Sequence, residues 1–371
     1  MKVIQLLPDL NSGGVERGTL EVAAFLASRG HQSLVVSNGG RLVKRLQEEG
    51  SKHITLPVHK KSLFSLLQVA PLRKLFRDEA PDIIHVRSRL PAWLTWLAWK
   101  KMDPRTRPRL VTTTHGLHSV NRYSRIVTCG ERLIGVSECV RRYLLENYPQ
   151  TNPELIRIIP RGVDPAHFSH GYQPPPEWLA TWNAEHPQFA NKFLITLPGR
   201  ITAIKGQDHL IKIVARLRKA GIPAHGLILG DTHPKRRKFG NTLREMIVRE
   251  GVAEHLTIIS HRNDVREILA VSEVVLSLTH IPETFGRVTL EALSMGRPVA
   301  AYAHGGVKEQ MQKFFPEGAL APDDLEACGT LLESWYRKGP PTLQPPKEHP
   351  YTLQAMLEST LAVYEELLSS R

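Results

Sequence analysis

Glu283 and Glu291, eight positions apart, are the carboxylates in this chain best placed to do chemistry. They lie in Pro282-Glu283-Thr284-Phe285-Gly286-Arg287-Val288-Thr289-Leu290-Glu291-Ala292, which follows a strand-forming run ending near Leu278 and precedes Gly296-Arg297-Pro298-Val299. The pattern predicts a loop carrying Glu283 and a helix starting near Phe285, whose free N–H groups favour a phosphate or a sugar hydroxyl. Eight helical residues advance at most about 12 Å, a span comparable with the distance from a sugar ring to a nucleotide ribose across a diphosphate. One carboxylate can hold a sugar while the other grips ribose hydroxyls. Any single Glu is more often a solvated helix-surface residue. The flanking Phe-Gly and Gly-x-Pro-Val elements weigh against that reading here.

Gly199-Arg200 and Lys205-Gly206 follow another strand-like run. Two cations near a departing diphosphate would stabilise the charge that develops on it. Arg200 offers a planar fork and Lys205 a compact charge, so together they can replace a metal. No Asp-x-Asp element stands in a suitable setting, and neither metal nor cofactor is expected. Gly13-Gly14 follows the first strand, where a side chain would block close approach of backbone to ligand; a tight turn explains the pair equally well. His115 ends a further strand and could bond a sugar or steady a charged transition state. Asp231 ends one strand and Ser260-His261-Arg262-Asn263-Asp264 follows another; both could meet a nucleobase. Gly305-Gly306 could admit the sugar end.

These residues need elements to position them. Short β-branched runs alternate with amphipathic stretches, which argues for parallel sheets wrapped by helices. In the first half, strands are expected at Val3–Leu7, Ser33–Ser37, Asp82–Val86, Arg109–Thr114, Arg132–Val136 and Ile156–Ile159, with helices at Gly14–Ser28 and Ala92–Lys101. A second alternation places strands at Phe193–Leu197, Gly226–Leu229, Leu256–Ile259, Val274–Leu278 and Val299–Ala301. The expected division is residues 1–165 plus 353–371, a linker or insert at 166–191 containing Pro174-Pro175-Pro176, and 192–350. The 371-residue length suits two such α/β domains. Ligands of doubly wound folds bind at the carboxyl ends of their strands.

From Val3 to about Gly306 the chain resembles family 4 of the retaining glycosyltransferases, whose signature is Glu, seven residues, Glu, with Phe-Gly after the first. Gly13-Gly14-Val15-Glu16-Arg17, Thr114-His115-Gly116, Val136-Ser137-Glu138, Arg161-Gly162-Val163-Asp164, Gly199-Arg200 with Lys205-Gly206, and Gly230-Asp231 match further elements in order. The resemblance implies the GT-B architecture: two Rossmann-like doubly wound α/β domains facing across a deep cleft, with the last helix returning to the first domain. It implies a nucleotide-sugar donor, a UDP-sugar by frequency, held by Gly13, Gly14, Arg200, Lys205, Asp231, Arg262, Glu283, Thr284, Phe285, Gly286 and Glu291. His115, Glu283, Arg200 and Lys205 become the catalytic set. The implied mechanism is front-face substitution, in which the departing phosphate helps deprotonate the acceptor and Glu283 holds sugar hydroxyls rather than acting as a nucleophile. Asp9 is where an inverting enzyme would carry a base. Within the family the chain looks closest to enzymes of bacterial lipopolysaccharide core synthesis.

His85-Val86-Arg87-Ser88-Arg89 departs from the family's commoner His-x-His by placing two arginines there. Arg87 and Arg89, with Gly14 and Arg17, are the expected contacts for a phosphorylated sugar or glycolipid acceptor. Ordinary salt-bridged arginines are the competing reading. Residues 1–165 hold 26 Lys/Arg against 14 Asp/Glu, while the remainder holds 23 against 22, so nearly all the net charge of +13 sits in the first half. Such a face would attract anionic lipid or phosphate. Nucleic acid is not an expected partner, because RNA-binding, zinc-finger and helix-turn-helix signatures are missing. Trp93, Trp96 and Trp99 could lie at a membrane interface, although core packing explains them more simply. With no signal peptide or membrane-spanning run, the expected location is the cytoplasm, at the inner face of the membrane. The three cysteines carry no metal-type spacing. A nucleotide-sugar epimerase, or a non-catalytic glycan- or lipid-binding scaffold, would share much of this pattern.

Overall fold

The computed structural model describes residues 1–371 apart from 12, 232–236, 261, 346–348 and 370–371. His261 therefore lies outside the described residues. The chain divides into two compact units, Met1–Gly162 with Leu353–Arg371, and Val163–Thr352.

In the first unit, strands β1 (Lys2–Leu6), β2 (Gln32–Ser37), β3 (Lys52–Thr55), β4 (Ile83–Val86), β5 (Arg109–Thr114), β6 (Arg132–Gly135) and β7 (Ile156–Ile158) form one sheet. Its order among the described residues is β3-β2-β1-β4-β5-β6-β7, and every pairing is parallel. Helices α1 (Gly14–Ser28), α2 (Val43–Glu48), α3 (Val69–Glu79), α4 (Arg89–Trp99) and α5 (Glu138–Asn147) cover its faces. The central strands are apolar on both faces because helices cover both, as parallel sheets require. The tryptophan stripe of α4 is structural: Trp99 is buried, and Trp93 and Trp96 pack against the same core. The Trp93 indole donates to the Tyr123 carbonyl (2.8 Å) and the Trp99 indole to that of Pro108 (2.6 Å).

The second unit starts differently from the expectation. Helix α6 (Pro176–Glu185) opens with proline in its first turn, where no intrahelical N–H is needed. Trp182 and Phe189 sink into a core with Leu194, Leu227, Leu229 and Ile268. The Trp178 indole donates to Asp264 (2.8 Å), fastening the helix further. Residues 176–189 are thus a helical insert packed into the second unit's core, and that unit begins at Val163 rather than at 192. Strands β8 (Phe193–Pro198), β9 (Ala224–Leu229), β10 (Leu256–Ile259), β11 (Val274–Ser277), β12 (Val299–Tyr302) and β13 (Ala319–Leu320) form its sheet, ordered β10-β9-β8-β11-β12-β13 among the described residues. Helices α7 (Gln207–Lys219), α8 (Arg237–Arg249), α9 (Val265–Val271), α10 (Arg287–Ser294), α11 (Gly305–Phe314) and α12 (Leu325–Lys338) connect the strands.

After the second unit, α13 (Leu353–Ser369) packs onto the first sheet. Met356, Leu357, Thr360, Val363, Tyr364 and Leu367 are its buried residues, the stripe that a 3.6-residue period produces. They meet Val3, Val22, Ile83 and Val111, and Glu366 bonds both Arg132 and Arg157. Both sheets are Rossmann-like, which is the fold pattern of the GT-B glycosyltransferases.

Candidate active site

The second unit gathers its polar residues where β8, β11 and β12 end. After β8 the chain runs through Gly199 and Arg200 to Lys205 and Gly206, which caps α7. After β11 it runs through Thr279 to Glu283, Phe285 and Gly286, which caps α10 with φ 87°. The helix begins at Arg287, two residues later than the sequence suggested, because Gly286 turns left-handed there. Phe285 anchors the loop by burial, and its carbonyl accepts from Gln310 Nε2 (2.5 Å). Thr279 is fixed by His304, whose Nε2 donates to the Thr279 carbonyl (2.6 Å).

Glu283 is held at backbone and side chain. Its carbonyl accepts from Gly306 N–H (2.7 Å), and it forms an isolated bridge with Gly305. Gly305 has φ 60°, and a Cβ there would collide with the Glu283 carbonyl oxygen. Only glycine satisfies both demands. Gly305 and Gly306 thus let two loops touch, which explains them without a sugar. The Glu283 carboxylate accepts from Lys205 Nζ and from Thr279 Oγ1 (3.3 Å). Burial, and then the nearby Arg200 guanidinium, push the Lys205 ammonium down to about 8. Arg200 itself is exposed.

Glu291 sits inside α10 and is 3% exposed, with Arg287 Nε 3.9 Å from its carboxylate. Asp231 is exposed at the end of β9. After β10, Arg262 is held by its side chain, which leaves its backbone for the expected contact with a base. Its guanidinium donates to both Asp264 carboxylate oxygens (2.8 and 2.7 Å) and lies 3.7 Å from Glu185. Those bonds tie α9 to α6, so the side chain is committed to structure.

In the first unit, Gly13 caps α1 and Gly14 is its first residue. Arg17 donates to Glu21 one turn on (3.1 Å). A polar cluster lies at the carboxyl ends of β1, β4 and β5. His85 bonds the Tyr364 hydroxyl and Thr113 Oγ1, each at 2.6 Å. Arg161 bonds the His115 ring (2.7 Å). Burial, then the Arg161 and Arg87 guanidiniums, hold His115 well below its ordinary pKa, so the ring is neutral at pH 7.

The two acceptor-side arginines part company here. Arg87 is 2% exposed and donates to Gln5 Oε1 (2.8 Å). Arg87 follows β4, which ends at Val86, and its burial sets it apart from Arg89. Arg89 starts α4, donates to Ser124 (2.7 Å) and lies 5.3 Å over the Tyr123 ring, half-buried. Arg161, Gln5 and Tyr364 were not among the expected site residues. Arg161 could have been found through its Arg-Gly-Val-Asp element. Gln5 and Tyr364 carry no local signal.

Two Rossmann-like units, with a glycine-built loop presenting glutamate to lysine at strand ends, define a glycosyltransferase. The chain belongs to family 4 of the glycosyltransferases: it matches "Glycosyltransferase Family 4" over residues 12–167 and "Glycosyl transferases group 1" over residues 180–342. One component of the phosphatidylinositol N-acetylglucosaminyltransferase of Homo sapiens is 27% identical over 96% of this chain and 74% of its own. D-inositol 3-phosphate glycosyltransferase of Stackebrandtia nassauensis is 25% identical over 61% of this chain; the match spans 54% of that relative's length. Among solved structures, a glycosyltransferase from Rickettsia africae is 27% identical with TM-score 0.82, covering 100% of this chain and 99% of that one. Anabaena HepE in complex with UDP-glucose shares the fold at 19% identity and TM-score 0.77, covering 100% of each chain. WaaG, a glycosyltransferase involved in lipopolysaccharide biosynthesis, shares it at 18% identity and TM-score 0.70, covering 98% of this chain and 94% of that one.

Proposed function

We propose that this enzyme transfers a sugar from a nucleotide-diphosphate sugar, a UDP-sugar by preference, to a hydroxyl of a phosphate-bearing glycolipid or sugar acceptor, with retention and with no metal in the transfer step. The observation that carries this reading is the ion pair between Lys205 and Glu283 at the ends of β8 and β11. A donor diphosphate is a competitor for that lysine. When it takes the ammonium, the Glu283 carboxylate is released to accept from sugar hydroxyls. Arg200 and Lys205 then stabilise the leaving diphosphate, and Glu291 on α10 holds the ribose. Neutral His115, kept in place by Arg161, is the first unit's catalytic candidate and can donate or accept one hydrogen bond without adding charge.

The UDP preference draws support from HepE, whose solved complex holds UDP-glucose. A phosphate on the acceptor is supported by the names of two relatives, one acting on phosphatidylinositol and one on D-inositol 3-phosphate. Arg89, with Arg17, is the cation we assign to it. The lipopolysaccharide core is one phosphate-bearing glycolipid of this class, and WaaG shares the fold.

Contact with an anionic membrane belongs to the same reading. Among the described residues, no helix is long and apolar enough to cross a membrane. A short 3-10 turn, Leu63–Gln68, instead exposes Leu63 (85%), Phe64 (78%), Leu66 (51%) and Leu67 (68%). Exposed Lys60, Lys61 and Lys74 flank it. Apolar side chains close in sequence to exposed lysines suit shallow insertion among anionic headgroups.

Thermal-shift screening of UDP-, GDP- and ADP-sugars tests the donor. A ligand at 100 times its Kd adds about 2.7 kcal/mol to stability. No stabilisation by any of them would remove the donor reading. Isomerised sugar nucleotide formed without acceptor would identify an epimerase instead. The anomeric configuration of the product, read by NMR, decides retention.

A further inference from the structure

We propose that Asp208, His209 and His280 bind a divalent transition-metal ion of the zinc class, which fastens the first turn of α7 to the loop leading to Glu283. The three residues are half-buried, and one ligand atom from each lies within 4.8 Å of the others. Asp208 and His209 are the second and third residues of α7, and His280 lies just beyond β11.

The orientation of the two imidazoles is what marks a site. His280 Nδ1 donates to Asp323 (2.5 Å), and His209 Nδ1 is hydrogen-bonded to the buried Tyr302 hydroxyl (2.5 Å). Each ring therefore has Nδ1 occupied by an oxygen and Nε2 turned toward the same carboxylate. His280 Nε2 is 3.0 Å from Asp208 Oδ1, and His209 Nε2 is 4.0 Å from Asp208 Oδ2. The rings meet edge to face at 4.6 Å. A histidine that binds metal through Nε2 ordinarily donates Nδ1–H to a carboxylate or other oxygen, which fixes its tautomer. Both rings have at Nδ1 an oxygen able to accept that proton, Asp323 for His280 and the Tyr302 hydroxyl for His209. Ligand atoms on a common tetrahedral zinc stand roughly 3.3 Å apart, so small side-chain rotations suffice. Two imidazoles and one carboxylate also match the ligand preferences of zinc and cobalt better than those of magnesium or calcium.

The ion takes the place of the hydrogen bond between His280 Nε2 and Asp208 Oδ1, while Asp323 stays on Nδ1. Asp208 lies three residues after Lys205, and His280 three residues before Glu283; the His280 N–H also donates to the Ile204 carbonyl (3.0 Å). The ion's role is to tie these loops, outside the transfer chemistry, and it holds whatever donor the enzyme uses.

Cobalt titration of the full chain tests this. Wild type should show visible d–d bands of low-coordinate Co2+ at one equivalent, lost on adding Zn2+, with protons released to a weakly buffered indicator. His209→Gln and His280→Gln should each abolish the bands while circular dichroism stays unchanged. Tyr302→Phe, which removes only the orienting hydroxyl, should weaken Co2+ about tenfold. His31→Ala, outside the cluster, should leave the bands intact. Wild type without such bands at millimolar Co2+, or bands surviving in both glutamine variants, would overturn the proposal and leave His280 as a proton-bridged ion pair.

Discussion

Lys205 donates to the carboxylate of Glu283, joining residues 78 positions apart across two strand ends. The pairing makes each residue's chemistry depend on the other. Because burial and Arg200 hold the ammonium down to about 8, the lysine loses its charge within the range of an ordinary assay. A lowered lysine pKa means the cationic form prevails below it and is lost above. The value of kcat/KM for donor, which reports the free enzyme, should be flat up to about pH 7 and fall above about pH 8. A profile still flat at about pH 9 would show that the Lys205 charge is not needed. His115, already neutral, adds no acid limb near neutrality.

The two glutamates should separate kinetically. Glu283→Ala should lower kcat about a hundredfold, the scale of one lost transition-state contact, with little change in nucleotide affinity. Glu291→Ala should weaken UDP binding roughly 10- to 100-fold by calorimetry, because charged hydrogen bonds to ribose are lost. Identical behaviour of the two variants would refute this division of labour.

Arg87 and Arg89 should separate in another way. Arg87→Ala strands Gln5 in the core and should cost about 1–3 kcal/mol in urea unfolding. Arg89→Ala should leave the urea midpoint in place and raise acceptor KM about tenfold. Equal effects of Arg89→Ala on donor and acceptor KM would remove its proposed contact with the acceptor.

Gly305→Ala puts a side chain into a left-handed backbone and against the Glu283 carbonyl. The conformational cost alone is about 1–2 kcal/mol, and the contact adds to it. Both stability and kcat should fall together, since relief requires the Glu283 loop to move. A variant with normal kcat would show that the loop's position is not critical.

Leu63→Glu and Phe64→Glu should release the protein from anionic vesicles, each weakening binding roughly tenfold or more. Raising salt should weaken the wild type as well, because the flanking lysines contribute. Vesicle binding that ignores both changes would exclude this turn as the contact.

The alternation of strands and helices was legible in the sequence because parallel strands are continuous apolar runs. What escaped were elements lacking that signature. Edge strand β3, Lys52-His53-Ile54-Thr55, is half polar, β13 is two residues long, and α6 hides behind three prolines. In the site, Glu283, Lys205 and Gly286 stand in short motifs and could be named beforehand. Their mutual bonding could not, since Lys205 and Glu283 meet only through the strand order β8-β11. Arg87 and Arg89 look alike in sequence, yet the chain changes from strand to helix between them, so their side chains part. Gln5 meets Arg87, 82 positions away, and Tyr364 meets His85, 279 positions away, so neither carries a local signal.

The last helix carries a consequence for biosynthesis. Tyr364 reaches His85 in a core laid down by the earliest strands, so the first unit to leave the ribosome is the last to be complete. While residues 163–352 are being made, the face of the first sheet that α13 will cover stays open to water. That reverses the usual N-terminal-first order for domains. The nascent first half must wait as an unfinished sheet, with Val3, Ile83 and Val111 waiting for Met356 and Leu357 to cover them.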